Sequence, residues 1–326
     1  MKNNKFLLTM LLIALSSVIS SAANVKQHNV LICGIGKNIE PFLPNMIQKI
    51  EALGDNFQDY RVIIYENNST DKTADALKKW ARRNDKVIII SETISADELS
   101  KRTRAHAKRD QAPCRMELIA YARNQVLQKA LAPEFEDFDL LIMTDLDFAQ
   151  GWQVKDVINS CLLETPWDCI TANGVDYRGI YYDRYAYRDE QFILGPELIG
   201  EDFWEELYRT PLRLVPGSGL KKVYSAFGGL AIYKREALAG CSYSGYVTED
   251  LKTLMANLIN HMSKKHKQYA LYKKIIDQES TPLPIIFQPN CGYDGPVVCE
   301  HSTLHATMFL NGYNNIYINP DLLCKY

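Results

Sequence analysis

The chain has 326 residues, 47% of them hydrophobic and 23% charged, which is a globular balance and enough length for a sizeable core. A formal net charge of −2 excludes bulk electrostatic attraction to nucleic acid or to an anionic membrane. The eight cysteines include no C-x-x-C pair, so zinc and thiol-redox motifs of that spacing are excluded as well.

In chain order, Lys2 and Lys5 precede an apolar run from Phe6 to Ile19, and the small residues Ser20-Ser21-Ala22-Ala23 follow. This predicts an export signal over residues 1–23, cleaved after Ala22 or Ala23. The run is short of the roughly 20 apolar residues a membrane span needs. Membrane attachment is therefore expected only if the segment stays uncleaved as a type II anchor. The catalytic part would be residues 24–326, with a nucleotide-binding lobe over 24–150 and an acceptor lobe over 151–326.

His28 to Cys33 is a short apolar run ending at Gly34 and reads as a buried strand. Pro41 to Leu53 has helical spacing. Tyr60–Tyr65 and Lys86–Ile90 are further strands, and a helix is expected over Ser69–Arg83 between them. Glu117–Leu131 reads as a helix and Phe138–Met143 as a fourth strand. Alternating strands and helices predict an α/β fold with a mostly parallel central sheet flanked by helices. The second half is less regular. Strands are expected at Trp167–Ala172, Gly229–Tyr233 and Asn315–Ile318, a mostly helical stretch over Thr248–Ile276, a loop over Ser280–Pro296 and a short helix over Glu300–Leu310.

In open α/β sheets, ligands bind beyond the carboxyl ends of the strands. Asp145-Leu146-Asp147 follows the fourth strand. Two carboxylates so spaced can share Mn²⁺ or Mg²⁺, which take oxygen ligands and leave places for substrate phosphates. Glu66 ends the second strand, where it could bond a ribose or base, or belong to a helix-capping segment with Ser69 and Asp71. Arg123 and Asn124 lie on the helix before the fourth strand and either brace the Asp-x-Asp loop, reach the nucleotide, or form a surface ion pair. Glu300 could act as a general base toward an acceptor hydroxyl, and His301 could add a nitrogen ligand to the metal. His305, four residues on, shares its helix face. The basic run Lys101-Arg102-Thr103-Arg104, continuing to Lys108-Arg109, is either a solvated face or a phosphate- or acceptor-binding loop. Cys33 and Cys169 fall in apolar strands and read as buried thiols; at most one or two disulfides are expected. Asn67-Asn68-Ser69-Thr70 holds two overlapping glycosylation sequons beside the expected nucleotide site, where a glycan would block binding.

Glu66-Asn67-Asn68-Ser69-Thr70-Asp71-Lys72-Thr73 resembles a segment of family 2-like glycosyltransferases. Ala122-Arg123-Asn124, Asp145-Leu146-Asp147, Phe227-Gly228-Gly229 and Cys299-Glu300-His301 follow in that family's order. His301 stands where an Asp is usual. The chain is also similar to the fungal capsule α-1,3-mannosyltransferase family, through Tyr65-Glu66-Asn67-Asn68-Ser69, Ala122-Arg123-Asn124 and Tyr181-Tyr182-Asp183…Arg188-Asp189. These resemblances imply a GT-A fold, a nucleotide-sugar donor led by GDP-mannose, a hydroxyl acceptor such as a glycan, and a Mn²⁺ or Mg²⁺ requirement. They place Gly34, Glu66, Arg123, Asn124 and Asp145 around the donor, Asp145, Asp147 and His301 on the metal, and Glu300 with Asp147 in catalysis.

Three other readings compete. Gly34-Ile35-Gly36 with Glu66 hints at a nicotinamide-dependent dehydrogenase, but Ile39 replaces the third glycine of that fingerprint. A sugar nucleotidyltransferase would need a longer glycine-rich loop than Gly34 to Pro41. An exported, non-catalytic binding protein could keep the same fold.

Overall fold

In the computed structural model the described residues are 25–103, 113–275, 287, 288, 290, 292 and 295–326. The expected export signal, the basic positions Arg104, Lys108 and Arg109, and most of the loop over Ser280–Pro296 lie outside them.

Strands β1 (Asn29–Gly36), β2 (Asp59–Asn67), β3 (Val87–Glu92) and β4 (Leu140–Asp145) pair in parallel. β5 (Cys169–Val175), β6 (Lys221–Lys222), β7 (Leu230–Lys234) and β8 (Ile316–Lys325) extend the same sheet to the order β3-β2-β1-β4-β7-β5-β8-β6. β7 runs antiparallel to β4 and β5, and β6 antiparallel to β8, so the sheet is mostly parallel but mixed in its second half. No break in the sheet divides the two halves of the chain.

The helices are α1 (Leu43–Gly54), α2 (Thr73–Arg83), α3 (Ala96–Thr103), α4 (Arg115–Ala130), α5 (Val154–Cys161), α6 (Pro196–Ile199), α7 (Asp202–Arg209), α8 (Glu249–Asn260), α9 (Tyr269–Ile275) and α10 (Glu300–Leu310). They cover both faces of the sheet because alternate strand residues point to opposite sides. Leu31, Cys33 and Ile63 enter the core shared with Val126 of α4, whereas Val30, Ile32 and Val62 pack with Met46 and Ile50 of α1 and Trp80 of α2.

Several boundaries differ from the sequence expectation for identifiable reasons. α2 starts at Thr73 rather than Ser69 because residues 68–71 knit two loops together. Asn38 N–H donates to Ser69 Oγ, Thr70 N–H donates to Asn38 Oδ1, and the two Asp71 oxygens accept from the N–H groups of Glu40 and Thr73. The helix expected over Thr248–Ile276 breaks into α8 and α9, and Ile276 lies outside the described residues. In the turn between them Lys265 N–H donates to Ser263 Oγ and Gln268 N–H to His266 Nδ1. The buried Gln268 amide then accepts from Ile193 and Leu194 N–H. Lys264, Lys265 and Lys267 are exposed on this turn. β8 continues to Lys325, well past Ile318, through a register shift against β5. On α3, Lys101 pairs with Asp97 and Arg102 with Glu98 and Glu92, a solvated ion-paired face. The seven described cysteines are all free and buried; Cys291 lies outside the described residues. Among the described residues no helix is long and apolar enough to cross a membrane.

Candidate active site

The carboxyl ends of β1 and β4, the start of α4, the segment after β5 and the start of α10 surround a cleft of about 740 Å³. β4 is a buried run that delivers Asp145 at its last position, and the chain turns so that Leu146 is buried while Asp147 faces the cleft. The turn needs room. Gly228 (φ +67°) and Gly229 (φ +91°) precede β7, and a Cβ on Gly228 would lie 2.2 Å from the Ala172 carbonyl oxygen. A Cβ on Gly229 would lie 2.6 Å from both Phe148 Cζ and the Tyr326 hydroxyl. These contacts explain the paired glycines after Phe227.

Arg123 organises the floor. It is 3% exposed on α4. Its Nη2 donates to Asp145 Oδ1 at 2.9 Å and its Nε to Glu300 Oε1 at 3.1 Å. The guanidinium lies 4.6 Å from the Phe227 ring centroid, a cation–π contact. Its buried Nη1 has no hydrogen-bond partner among the described residues. One planar, permanently charged group thus bridges two carboxylates from distant parts of the chain. Asn124 does not line the cleft. Its amide exchanges two hydrogen bonds with the Tyr243 backbone and fixes the loop beside Arg123.

Asp147 has no ion-pair partner among the described residues. Although its side chain reaches solvent, the cleft walls and then the neighbouring Asp145 carboxylate push its carboxyl above the usual range. Burial, followed by repulsion from Glu300 and Asp145, raises Asp183 to about 6 even though Gly228 N–H donates to it at 2.9 Å. The cleft therefore holds Asp145, Asp147, Asp183 and Glu300, and Arg123 is the cation paired with two of them.

His301 is 1% exposed and sits on the cleft wall, stacked on Phe227 at 3.8 Å between centroids. Its Nε2 lies 3.6 Å from Glu300 Oε1, and neither ring nitrogen has a hydrogen bond among the described residues. Burial, with Arg123 and His305 nearby, holds it neutral. His305 turns away, into bonding distance of Ser225 and Tyr233.

Glu66 and Gly34 do not line the cleft. Glu66 is 2% exposed, and its two oxygens accept from Ser69 N–H and Ser91 Oγ, so it braces the loop after β2. Tyr65 and Asn67, on either side of it, line the cleft instead. Asn68 has φ +55°, and its amide is bonded to both backbone groups of Ile94. Gly36 does line the cleft, and a Cβ there would lie 2.3 Å from Ile39 Cδ1. Ile39, standing where that fingerprint has its third glycine, thus packs its side chain on Gly36, which argues against the dehydrogenase reading.

The structure adds Tyr326. Its hydroxyl donates to Asp145 Oδ2 at 2.7 Å, and its ring lies 4.5 Å from Phe148 and 4.0 Å from Tyr182 between centroids. A tyrosine eight residues beyond the expected end of the last strand carries no local signal. Only the length of β8, which brings that end back to β4, could have marked it.

Among the described residues no three His, Cys, Asp or Glu side chains are clustered to hold a metal by themselves. The donor set nevertheless fits a hard divalent ion. Mg²⁺-type ions are held by one or two carboxylates, with water and substrate phosphates completing the shell. Asp147 is a carboxylate with no ion-pair partner among the described residues, although Arg115 and Arg123 act on it electrostatically.

The chain belongs to the family described as Cryptococcal mannosyltransferase 1, which matches residues 31–239, more than half of its length. No curated protein sequence matches it. Among solved structures, it is similar to the mannosyltransferase PcManGT from Pyrobaculum calidifontis in complex with GDP-Man and Mn²⁺. That likeness has 14% identity and a TM-score of 0.40, covering 91% of this chain and 56% of that one. It is also similar to residues 1–349 of S. aureus TarS, at 13% identity and TM-score 0.41, covering 91% and 59%. A third is glucosyl-3-phosphoglycerate synthase from Mycobacterium tuberculosis in complex with Mn²⁺, UDP and phosphoglyceric acid, at 13% identity and TM-score 0.35, covering 68% and 61%. The chain spans less than two thirds of the length of each of these three structures.

Proposed function

We propose that the protein is a metal-dependent glycosyltransferase of the GT-A type that moves a sugar, mannose first among the candidates, from a nucleotide-sugar to a hydroxyl of a glycan acceptor. The observation that carries this reading is the Arg123 bridge. It sets Asp145 at the end of β4 and Glu300 at the start of α10 facing one cleft, with Asp147 beside them and without an ion pair among the described residues. Family membership supports the mannosyl preference.

Asp145 and Asp147 would hold Mn²⁺ or Mg²⁺. When bound, the ion neutralises charge on the departing nucleoside diphosphate. Arg123 fixes Asp145 Oδ1 and leaves Asp147 free to reach outward. Glu300 has Oε1 held by Arg123, while Oε2 meets the Cys299 thiol at 3.6 Å. Oε2 can therefore take the proton of an acceptor hydroxyl. The neutral His301 ring, with both nitrogens unbonded among the described residues, suits either a metal or a substrate hydroxyl. Residues 1–23 serve as an export signal in this reading. The mass of the mature chain, with or without them, tests that point.

The protein is to be assayed with GDP-mannose, UDP-glucose and UDP-GlcNAc in Mn²⁺ for sugar transfer and for donor hydrolysis. Absence of turnover together with absence of metal-dependent nucleotide binding would overturn the proposal. Asp147→Ala is expected to abolish turnover with the fold intact. Glu300→Gln with unchanged turnover would remove Glu300 as the base.

A further inference from the structure

The cleft is lined in part by aromatic residues. Tyr185 and Trp204 both line it, and their rings are nearly parallel, 13° apart with centroids at 6.5 Å. Their orientation is fixed from beneath. The fully buried Phe203 ring packs edge-on against Tyr185 at 6.0 Å and against Trp204 at 5.2 Å, and the Tyr185 hydroxyl donates to the Val297 carbonyl at 3.4 Å. Trp204 nonetheless remains 39% exposed, although a tryptophan in a core would be covered. Four residues on, Tyr208 lies on the same face of α7 and is 82% exposed, continuing the aromatic row out of the cleft.

We propose, resting on the transferase reading above, that Tyr185 and Trp204 form a stacking platform for a pyranose ring of the glycan acceptor. A sugar ring has an apolar C–H face, which a flat aromatic surface covers, and a rim of hydroxyls, which needs polar neighbours. Both are present. Trp204 is open to solvent, and Glu205, Glu206 and Arg209 stand along the same short helix. An alkyl chain would require a closed apolar groove, whereas Trp204 is open to solvent and its helix carries charged residues. The platform shares one cleft with Glu300, so a ring seated on it presents its hydroxyls to the same space as the candidate base. Sites of this kind combine apolar walls with a few convergent polar groups.

The chain offers a direct probe. Its other three tryptophans, Trp80, Trp152 and Trp167, are buried at 2%, 0% and 5% exposure. Acrylamide quenching of tryptophan emission therefore reports Trp204, and Trp204→Phe is expected to abolish most of it. The protein is titrated, with no donor present, against mannobiose, mannotriose and maltotriose, and separately against n-decyl phosphate. Protection from acrylamide by at least one oligosaccharide is the expected result. Protection by decyl phosphate alone, or by no oligosaccharide, overturns the platform. In transfer assays with a protecting oligosaccharide, Trp204→Ala is expected to raise the acceptor KM about tenfold, with a smaller effect on kcat. An unchanged KM overturns the proposal. Donor hydrolysis by the unaltered protein tests the transferase reading separately, so failure of one is not failure of the other.

Discussion

Tyr326 donates its phenolic hydrogen to Asp145 Oδ2 at 2.7 Å, across 181 residues of chain. With Arg123 on Oδ1, the Asp145 carboxylate is held at both oxygens. Partners that orient a metal-binding carboxylate raise the affinity of the site, and their loss costs about 10–100-fold. Tyr326→Phe keeps the ring between Phe148 and Tyr182 and removes only the donor. Calorimetric titration of Mn²⁺ in the presence of GDP is expected to show binding weakened about tenfold. Unchanged affinity would mean that the phenol is packing alone.

Arg123 is a test of the floor of the site. Arg123→Met leaves Asp145 and Glu300 facing each other with no cation between them. Removing one partner of a buried ion pair costs about 3–5 kcal/mol, and urea denaturation should show a loss of that order. Arg123→Lys is expected to recover only part of it, because an ammonium cannot reproduce the two directed bonds from Nε and Nη2.

Asp183 gives a pH signature. Its carboxyl is raised from the ordinary 3.8 to about 6 in the fold. Between those values the folded chain holds a proton that the unfolded chain has released, so this group makes stability fall as pH rises through the window. Asp183→Asn, which can still accept from Gly228 N–H, should flatten the dependence of the melting temperature on pH between about 4 and 6 in metal-free protein. The same slope in variant and parent would remove the assignment.

Gly228 is the least substitutable backbone position of the site. Gly228→Ala combines a positive φ with a Cβ 2.2 Å from the Ala172 carbonyl. A loss of roughly 1–3 kcal/mol from the strained backbone alone is expected by chemical denaturation, with more from the overlap. Gly217→Ala serves as the control, since its φ is also positive but no atom stands within 4 Å of the added Cβ.

The first half of the fold was legible because β1, β2 and β4 are buried on both faces and, with β3, read as continuous apolar runs. β1 to β4 and α4 fall within a few residues of their expected places. Asp145 and Asp147 could be singled out from sequence because an apolar run ending in two carboxylates is a local pattern. The second half was less legible. α6 and α7 are short, the turn between α8 and α9 is made by side chains that a helical pattern does not reveal, and β6 has two residues. Expectations at Glu66 and Asn124 fixed their neighbourhood but not their direction. Both side chains turn inward to backbone or loop groups, and nothing in their spacing distinguishes that from facing a ligand.

By itself, then, the sequence determined the sheet's first half, the pair Asp145 and Asp147, and the order of the short motifs, all of which are written in contiguous residues. Only the tertiary structure decided that Arg123 joins Asp145 to Glu300, that Tyr326 returns to the same carboxylate, and that Tyr185 and Trp204 line the same cleft. These relationships depend on strand order and on the path of β8, and close contact between residues so far apart in sequence leaves no periodicity in the chain to read.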